Sequence, residues 1–135
     1  MEVGNFKWAI ELKSINDFEI EKTLFLILSH LNSSMNQYKC LLSNVDATGL
    51  IGNELAEKTS GNIVVEISLN QIIEVLKEDG QIFDMNLELY SEYGNYRIMV
   101  LRGEIINVLG DSQKLPGEAL GEYQELDIKM FNLNS

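Results

Sequence analysis

A strict two-residue alternation constrains the fold of this chain more than any other feature. It occupies residues 83–97, FDMNLELYSEYGNYR. One set of alternate positions is apolar and the other polar: Phe83, Met85, Leu87 and Leu89 against Asp84, Asn86, Glu88, Tyr90 and Glu92. Successive side chains of a β-strand point to opposite faces, so the pattern predicts a half-buried strand of an antiparallel sheet.

The same stretch predicts a hairpin. Gly94-Asn95 is a two-residue turn candidate, and the register it sets places Glu92 opposite Arg97. A bulge at Gly103 would keep the apolar residues of the two strands in register. The returning residues 98–101, IMVL, show no alternation. We therefore expect a central strand, covered by a helix on one face and by further protein on the other.

Other segments carry similar signals. Phe6 to Leu12 alternate as a first strand, and Asn16 can cap a helix that ends near NSS, residues 32–34. Tyr38 opens another strand, and residues 46–62 read as a long connection with one possible helical turn at 54–58. The chain continues with a strand at 63–69, a short helix at 71–78 capped by Ser68 or Asn70, and later strands including LDIKMFNL at 126–133. The prediction is one α+β domain over residues 1–135, with a mainly antiparallel sheet of about five to seven strands and two helices packed on one face.

Composition supports a folded chain that carries a strong negative charge. The 135 residues are 45% hydrophobic and 23% charged, with a formal net charge of −11. Nucleic acid and anionic lipid would be repelled by such a field, whereas a basic protein would be attracted. The longest apolar run, LFLIL at 24–28, cannot span a bilayer, and no secretory signal is visible at the start. We therefore expect a cytoplasmic protein without nucleic-acid or membrane partners.

The sequence lacks the equipment of common active sites. It contains one cysteine, Cys40, and one histidine, His30, too few for zinc. Both are expected to be structural, His30 on the first helix and Cys40 facing inward as a small hydrophobe. Asp84, Asn86 and Glu88 have the spacing of a calcium loop, but Leu89 stands where that loop requires glycine.

Carboxylates four residues apart on one strand lie about 13 Å apart. Catalytic carboxyl pairs are separated by roughly 5–9.5 Å, so Asp84, Glu88 and Glu92 on one strand cannot form such a pair among themselves. We expect no enzyme, no cofactor and no metal. An enzyme whose carboxylates come from different strands is kept as a third possibility.

The polar positions from Asp84 to Glu92, which we call the acidic row, could bind a partner. The alternative is that they form only the solvated face of an antiparallel sheet. Tyrosine is favoured at interfaces, and carboxylates suit the Lys and Arg of a partner. If residues 111–127 fold toward the hairpin, their acidic and tyrosine side chains extend the binding face. The predicted partner-binding residues are Asp84, Glu88, Tyr90, Glu92, Tyr93, Tyr96, Glu122 and Tyr123.

The functional prediction is a small acidic binding protein. In its concrete form it is an immunity protein or antitoxin that neutralises a basic, nuclease-type toxin by covering its active or nucleic-acid-binding surface. The alternative is a homodimeric cytoplasmic chaperone or assembly subunit that uses apolar side chains instead of the acidic row.

Overall fold

The fold is an antiparallel sheet with helices. The computed structural model describes residues 6–14, 20–33, 37–78, 80–92, 94–111 and 126–132, and only the backbone of Ser14, Ser33 and 126–132. Seven strands form the sheet in the order β3-β2-β4-β5-β6-β1-β7, and every neighbouring pair is antiparallel. The strands are β1 (Trp8–Ser14), β2 (Lys39–Ala47), β3 (Val65–Ile67), β4 (Ile82–Ser91), β5 (Gly94–Leu101), β6 (Ile105–Gly110) and β7 (Leu126–Asn132). The predicted α+β class and antiparallel sheet are confirmed.

The part of the chain that the structure describes has three helices, one more than predicted: α1 (Glu21–Ser33), α2 (Leu50–Lys58) and α3 (Leu69–Lys77). The additional helix, α2, lies in the predicted connection. Gly49 precedes it without a side-chain cap, and no acidic residue stands in its first turn. Its Ile51 N–H instead donates to Glu78 Oε1, 3.3 Å away and 27 residues later. Because a free N–H group of its first turn finds its acceptor in a distant residue, the sequence around residue 50 carries no signal for a helix start.

The other helices follow their sequence signals where they are described. Ser68 caps α3, and its N–H donates to Gln71 Oε1 at 2.9 Å in a capping box. α1 ends at Ser33, as predicted. The predicted start of α1, with Asn16 as cap and Ile15 packed on Ile20, lies outside the described residues.

The core lies between the helices and one face of the sheet, which we call the covered face. The helices, together with Ile20 just before α1, contribute buried aliphatic side chains to it: Ile20, Leu24, Ile27, Leu28, Leu31, Leu55, Leu69, Ile72, Ile73 and Val75. The strands contribute alternate residues: Trp8, Ile10, Leu12, Cys40, Leu42, Met85, Leu87, Leu89, Tyr96, Ile98, Val100, Ile106 and Val108. Burial of this much aliphatic surface is the main source of stability.

An aromatic cluster closes one end of the covered face. The Trp8 and Tyr96 rings meet edge to face at 6.0 Å between centroids, and Tyr96 meets Tyr38 in the same way at 6.1 Å. Trp8 pairs with Gly110 across β1 and β6, and a β-carbon on Gly110 would overlap the Trp8 ring. The glycine therefore provides the space that the indole fills.

The hairpin of β4 and β5 forms in a different register from the predicted one. Glu88 pairs with Arg97 and Ser91 with Gly94, so the turn lies between Ser91 and Gly94, and Gly94-Asn95 begin β5. Asn95 also contacts the residue after β6: the Asp111 carboxylate accepts from the Asn95 backbone N–H at 2.7 Å and from Asn95 Nδ2 at 3.1 Å. This contact fixes the start of β5 against the residue after β6, and the local sequence does not encode it.

Two further predictions about strands need correction. Gly103 forms no bulge: it lies in the turn between β5 and β6, with a φ of 67°. The irregular pairing occurs instead between β2 and β4, after Ser43. Strand β3 is also shorter than the predicted 63–69, and Ile63 and Val64 before it are exposed.

Candidate functional site

The face of the sheet opposite the helices, which we call the open face, is the strongest candidate for a functional surface. Its alternate strand residues are mostly half-exposed, whereas the core side chains of the helices all cluster with the covered face. The described side chains of the open face are Ala9, Glu11, Lys13, Lys39, Leu41, Ser43, Asp46, Glu66, Asp84, Asn86, Glu88, Tyr90, Asn95, Arg97, Met99, Leu101, Ile105, Asn107 and Leu109.

Hydrogen bonds hold the polar side chains at its centre. Arg97 Nε donates to Asn86 Oδ1 at 2.8 Å, and Asn86 Nδ2 donates to Ser43 Oγ at 3.1 Å. These two bonds link β5, β4 and β2 across the open face. Side chains fixed in this way lose less conformational entropy when a partner binds.

Tyr90 and Glu88 form a second polar contact on this face. The Tyr90 hydroxyl donates a hydrogen bond to the Glu88 carboxylate. This bond, together with burial and the repulsion between two anions, raises the pKa of Tyr90 to about 12. The phenol therefore stays protonated at neutral pH and donates a hydrogen bond to the carboxylate beside it.

The structure places three of the predicted binding residues together. Asp84, Glu88 and Tyr90 lie on the open face, while Glu92 is exposed in the turn beyond the end of β4. Tyr96 does not join them, because it lies on the covered face and is only 8% exposed. Tyr93, Glu122 and Tyr123 lie outside the described residues, as does most of the 111–127 loop.

Charge on the open face is more balanced than the composition suggests. Its described carboxylates are Glu11, Asp46, Glu66, Asp84 and Glu88, and its described bases are Lys13, Lys39 and Arg97. Three of these carboxylates also bind within the protein: Glu88 accepts from Tyr90, Asp84 Oδ1 accepts from the Arg102 backbone N–H at 3.2 Å, and Glu66 Oε1 lies 3.9 Å from Lys39 Nζ. The acidic row is thus part of a mixed surface, and most of the chain's negative charge lies elsewhere.

The predicted binding residues did not include the apolar half of this face. Leu41, Met99 and Leu101 lie among the polar residues, and Leu101 is 39% exposed. The signal for two of them was the unalternated IMVL run, which indicates apolar side chains on both sides of β5. Leu41 gave the same signal beside Cys40 and Leu42.

Two concave regions are described. The smaller, of about 150 Å³, is a depression in the open face where β2, β4 and β5 meet. The larger, an open groove of about 840 Å³, runs between α1 and the end of α3. Phe25, Leu26 and Leu76 line this groove, and its rim holds both Lys and Glu, so it favours no one class of ligand.

The described residues contain no group of three or more His, Cys, Asp or Glu placed to hold a metal ion. Cys40 is buried, as predicted, and its burial raises the pKa of the thiol to about 11. A protonated thiol is a poor nucleophile. Among the described helices, none has the length and apolarity needed to cross a bilayer.

No protein-family model matches this chain, and no curated protein or solved structure matches it. The functional inference therefore rests on the chemistry of the open face.

Proposed function

We propose that this protein is a small acidic binding protein that uses its open face to bind and occlude a basic partner protein. In its concrete form it is an immunity protein or antitoxin, and the partner is a nuclease-type toxin. The observation that carries the proposal is a sheet face that combines half-exposed Tyr90, Arg97 and Met99, opposite the buried apolar side chains of the covered face.

The residue types support binding. Tyrosine, arginine and methionine are enriched in protein–protein interfaces relative to the rest of the surface. Arg97 and Tyr90 are held by hydrogen bonds to Asn86 and Glu88. An interface assembled from prefixed side chains next to apolar ones can gain contact area at a modest entropic cost.

Charge would act at longer range than these contacts. A net charge of −11 creates a field that accelerates encounter with a basic surface and that weakens as salt is added. The open face itself is close to balanced, so docking there depends on shape and on paired contacts. Salt should thus mainly lower the association rate and change the dissociation rate little.

Affinity capture from the source cell, with mass spectrometry, tests the proposal. Wild-type protein should retain a basic protein, and a neighbouring gene for a toxin domain would support its identity. Glu88→Lys with Glu92→Lys should slow association with that protein, while Glu54→Lys with Glu57→Lys on α2 serves as the control of equal charge change. Both variants reduce the negative charge equally, so general steering cannot explain a difference between them.

A third variant, Met99→Glu, tests docking without adding positive charge. It should accelerate dissociation, because an interface would then bury an unpaired carboxylate. If all three variants bind the partner with the wild-type rates and salt dependence, the open face is not the binding surface.

One observation favours the alternative of a homodimeric chaperone or assembly subunit. Leu41, Met99 and Leu101 provide apolar surface through which two open faces could pack. Sedimentation velocity at low and high salt separates the alternatives. A dimer that survives high salt and is lost in Met99→Glu would support the chaperone; a monomer at both salt concentrations would exclude it.

A further inference from the structure

The depression in the open face has a shape and lining of its own. It measures about 150 Å³ and is open to solvent. Met99 and Leu101 of β5 provide its apolar side chains, and its polar side chains come from all three strands: Asn44, Asp84, Asn86 and Arg97. An apolar wall with a few converging polar groups is typical of a recognition pocket.

A bulge in β2 borders the depression. Ser43 pairs with Asn86 and Asp46 pairs with Asp84, so two residues of β2 stand where β4 has one. The first of the two, Asn44, has a left-handed φ of 54°. Bulges bend a strand and redirect its side chains, and here the bulge brings Asn44 to the rim of the depression.

The two sides of the depression differ in charge. On one side Arg97 already has Asn86 as hydrogen-bond acceptor and Glu88 directly across the strand pair. On the other side Asp84 is fixed by the Arg102 N–H, and no described Lys or Arg forms an ion pair with it. Its register partner on β2, Asp46, adds a second negative charge next to it. The Asp84 side therefore attracts a cation.

We infer that this depression receives a lysine or arginine side chain of the partner, with its aliphatic stem against Met99 and Leu101 and its cationic end at Asp84. The inference rests on the function proposed above and names the anchor of that interface. Both stems are apolar and both ends bind carboxylates, so they share the chemistry that the depression offers.

The volume agrees with one such side chain. Liquid water occupies about 30 Å³ per molecule, so a space of this size holds about five waters. A lysine side chain has a similar number of non-hydrogen atoms. An arginine side chain is somewhat longer, and its guanidinium would reach the open rim near Asn44.

Model compounds test the site without the partner. The full chain, labelled with nitrogen-15, is titrated with N-acetyl-lysinamide, N-acetyl-argininamide and N-acetyl-norleucinamide, and the backbone amide shifts are recorded. The two cations should shift amides near Asp84 and Met99, with dissociation constants in the millimolar range. Norleucine has an aliphatic stem without the charge and should bind about fivefold more weakly.

Asp84→Asn keeps the shape and an oxygen for the Arg102 N–H, and it should reduce the affinity for both cations about fivefold. Leu101→Ser removes part of the wall and should weaken all three compounds. Glu57→Gln, an equal charge change on α2, is the control and should leave binding unchanged. Equal binding of norleucinamide, or undiminished cation binding by Asp84→Asn, would overturn the inference.

The outcomes separate this inference from the proposed function. Cation binding that depends on Asp84 establishes the site even if no basic protein is captured from the cell. Capture that depends on Met99 but not on Asp84, without binding of the model cations, refutes the anchor and leaves the proposed function in place.

Discussion

The two faces of the sheet are built by the same strands, yet they differ in almost every property. A row across the covered face contains side chains exposed by 2% or less: Ile10, Val108, Ile98, Leu87 and Leu42. The adjacent row on the open face mixes charged and apolar groups: Ala9, Leu109, Arg97, Glu88 and Leu41. Neighbouring residues of one strand thus have different roles: one packs in the core and the next faces the proposed partner. Substitutions on the two faces should therefore affect stability and binding separately.

The largest expected difference is between two neighbours on β4. Leu87→Ala should lower the free energy of unfolding by about 2–5 kcal/mol, because it leaves a cavity in the core. Glu88→Ala should change it by less than about 1 kcal/mol, because its hydrogen bond to Tyr90 is only half-buried. Urea unfolding followed by circular dichroism measures both. A large loss in Glu88→Ala would show that the open face also carries the fold.

A second comparison tests the aromatic end of the covered face. Gly110→Ala should cost about 1–3 kcal/mol, since the added methyl group overlaps the Trp8 ring and must displace it. Trp8 fluorescence should shift with the loss of packing. Asn107→Ala, three residues earlier on β6 and on the open face, is the matched control. An unchanged emission spectrum in Gly110→Ala would mean that Trp8 does not pack over this glycine.

The smallest expected effect is a pH dependence on the open face. The pKa of Tyr90 rises from its usual 10.0 to about 12 in the folded protein, so folding favours the protonated phenol. This contribution to stability is complete below pH 10 and disappears as the pH rises to 12. Tyr90→Phe lacks it, so the stability difference between wild type and variant should shrink from pH 9 to pH 11.5. A pH-independent difference would exclude a shifted Tyr90.

The sequence predicted what depends on neighbouring residues. Alternation placed Asp84, Glu88 and Tyr90 on one face, and the Ser68 cap marked the start of α3. The sequence also contained the information that excludes Tyr96 from the binding residues. Tyr96 alternates with Arg97, so it shares the face of Ile98 and Val100 whichever register the hairpin adopts.

Features fixed by distant contacts were not predictable in the same way. The Asp111 carboxylate holds the start of β5 against the end of β6, and the Glu78 carboxylate satisfies the start of α2. Each of these involves groups separated by at least 16 residues. The depression is formed by three strands and by a bulge in one of them, and no pattern of neighbouring residues in the sequence predicts that combination.

The position of β1 has a consequence for how the chain is made. This strand precedes all the other described strands in the sequence, but its two neighbours in the sheet, β6 and β7, are the last two described. At roughly 5–20 residues per second, a ribosome needs roughly 5–20 s to progress from β1 to β6. During that interval Trp8, Ile10 and Leu12 have no strand to pair with and no complete core to enter. Molecular chaperones that shield nascent chains would therefore have a defined target in β1, and the sheet can be completed only after β7 has been synthesised.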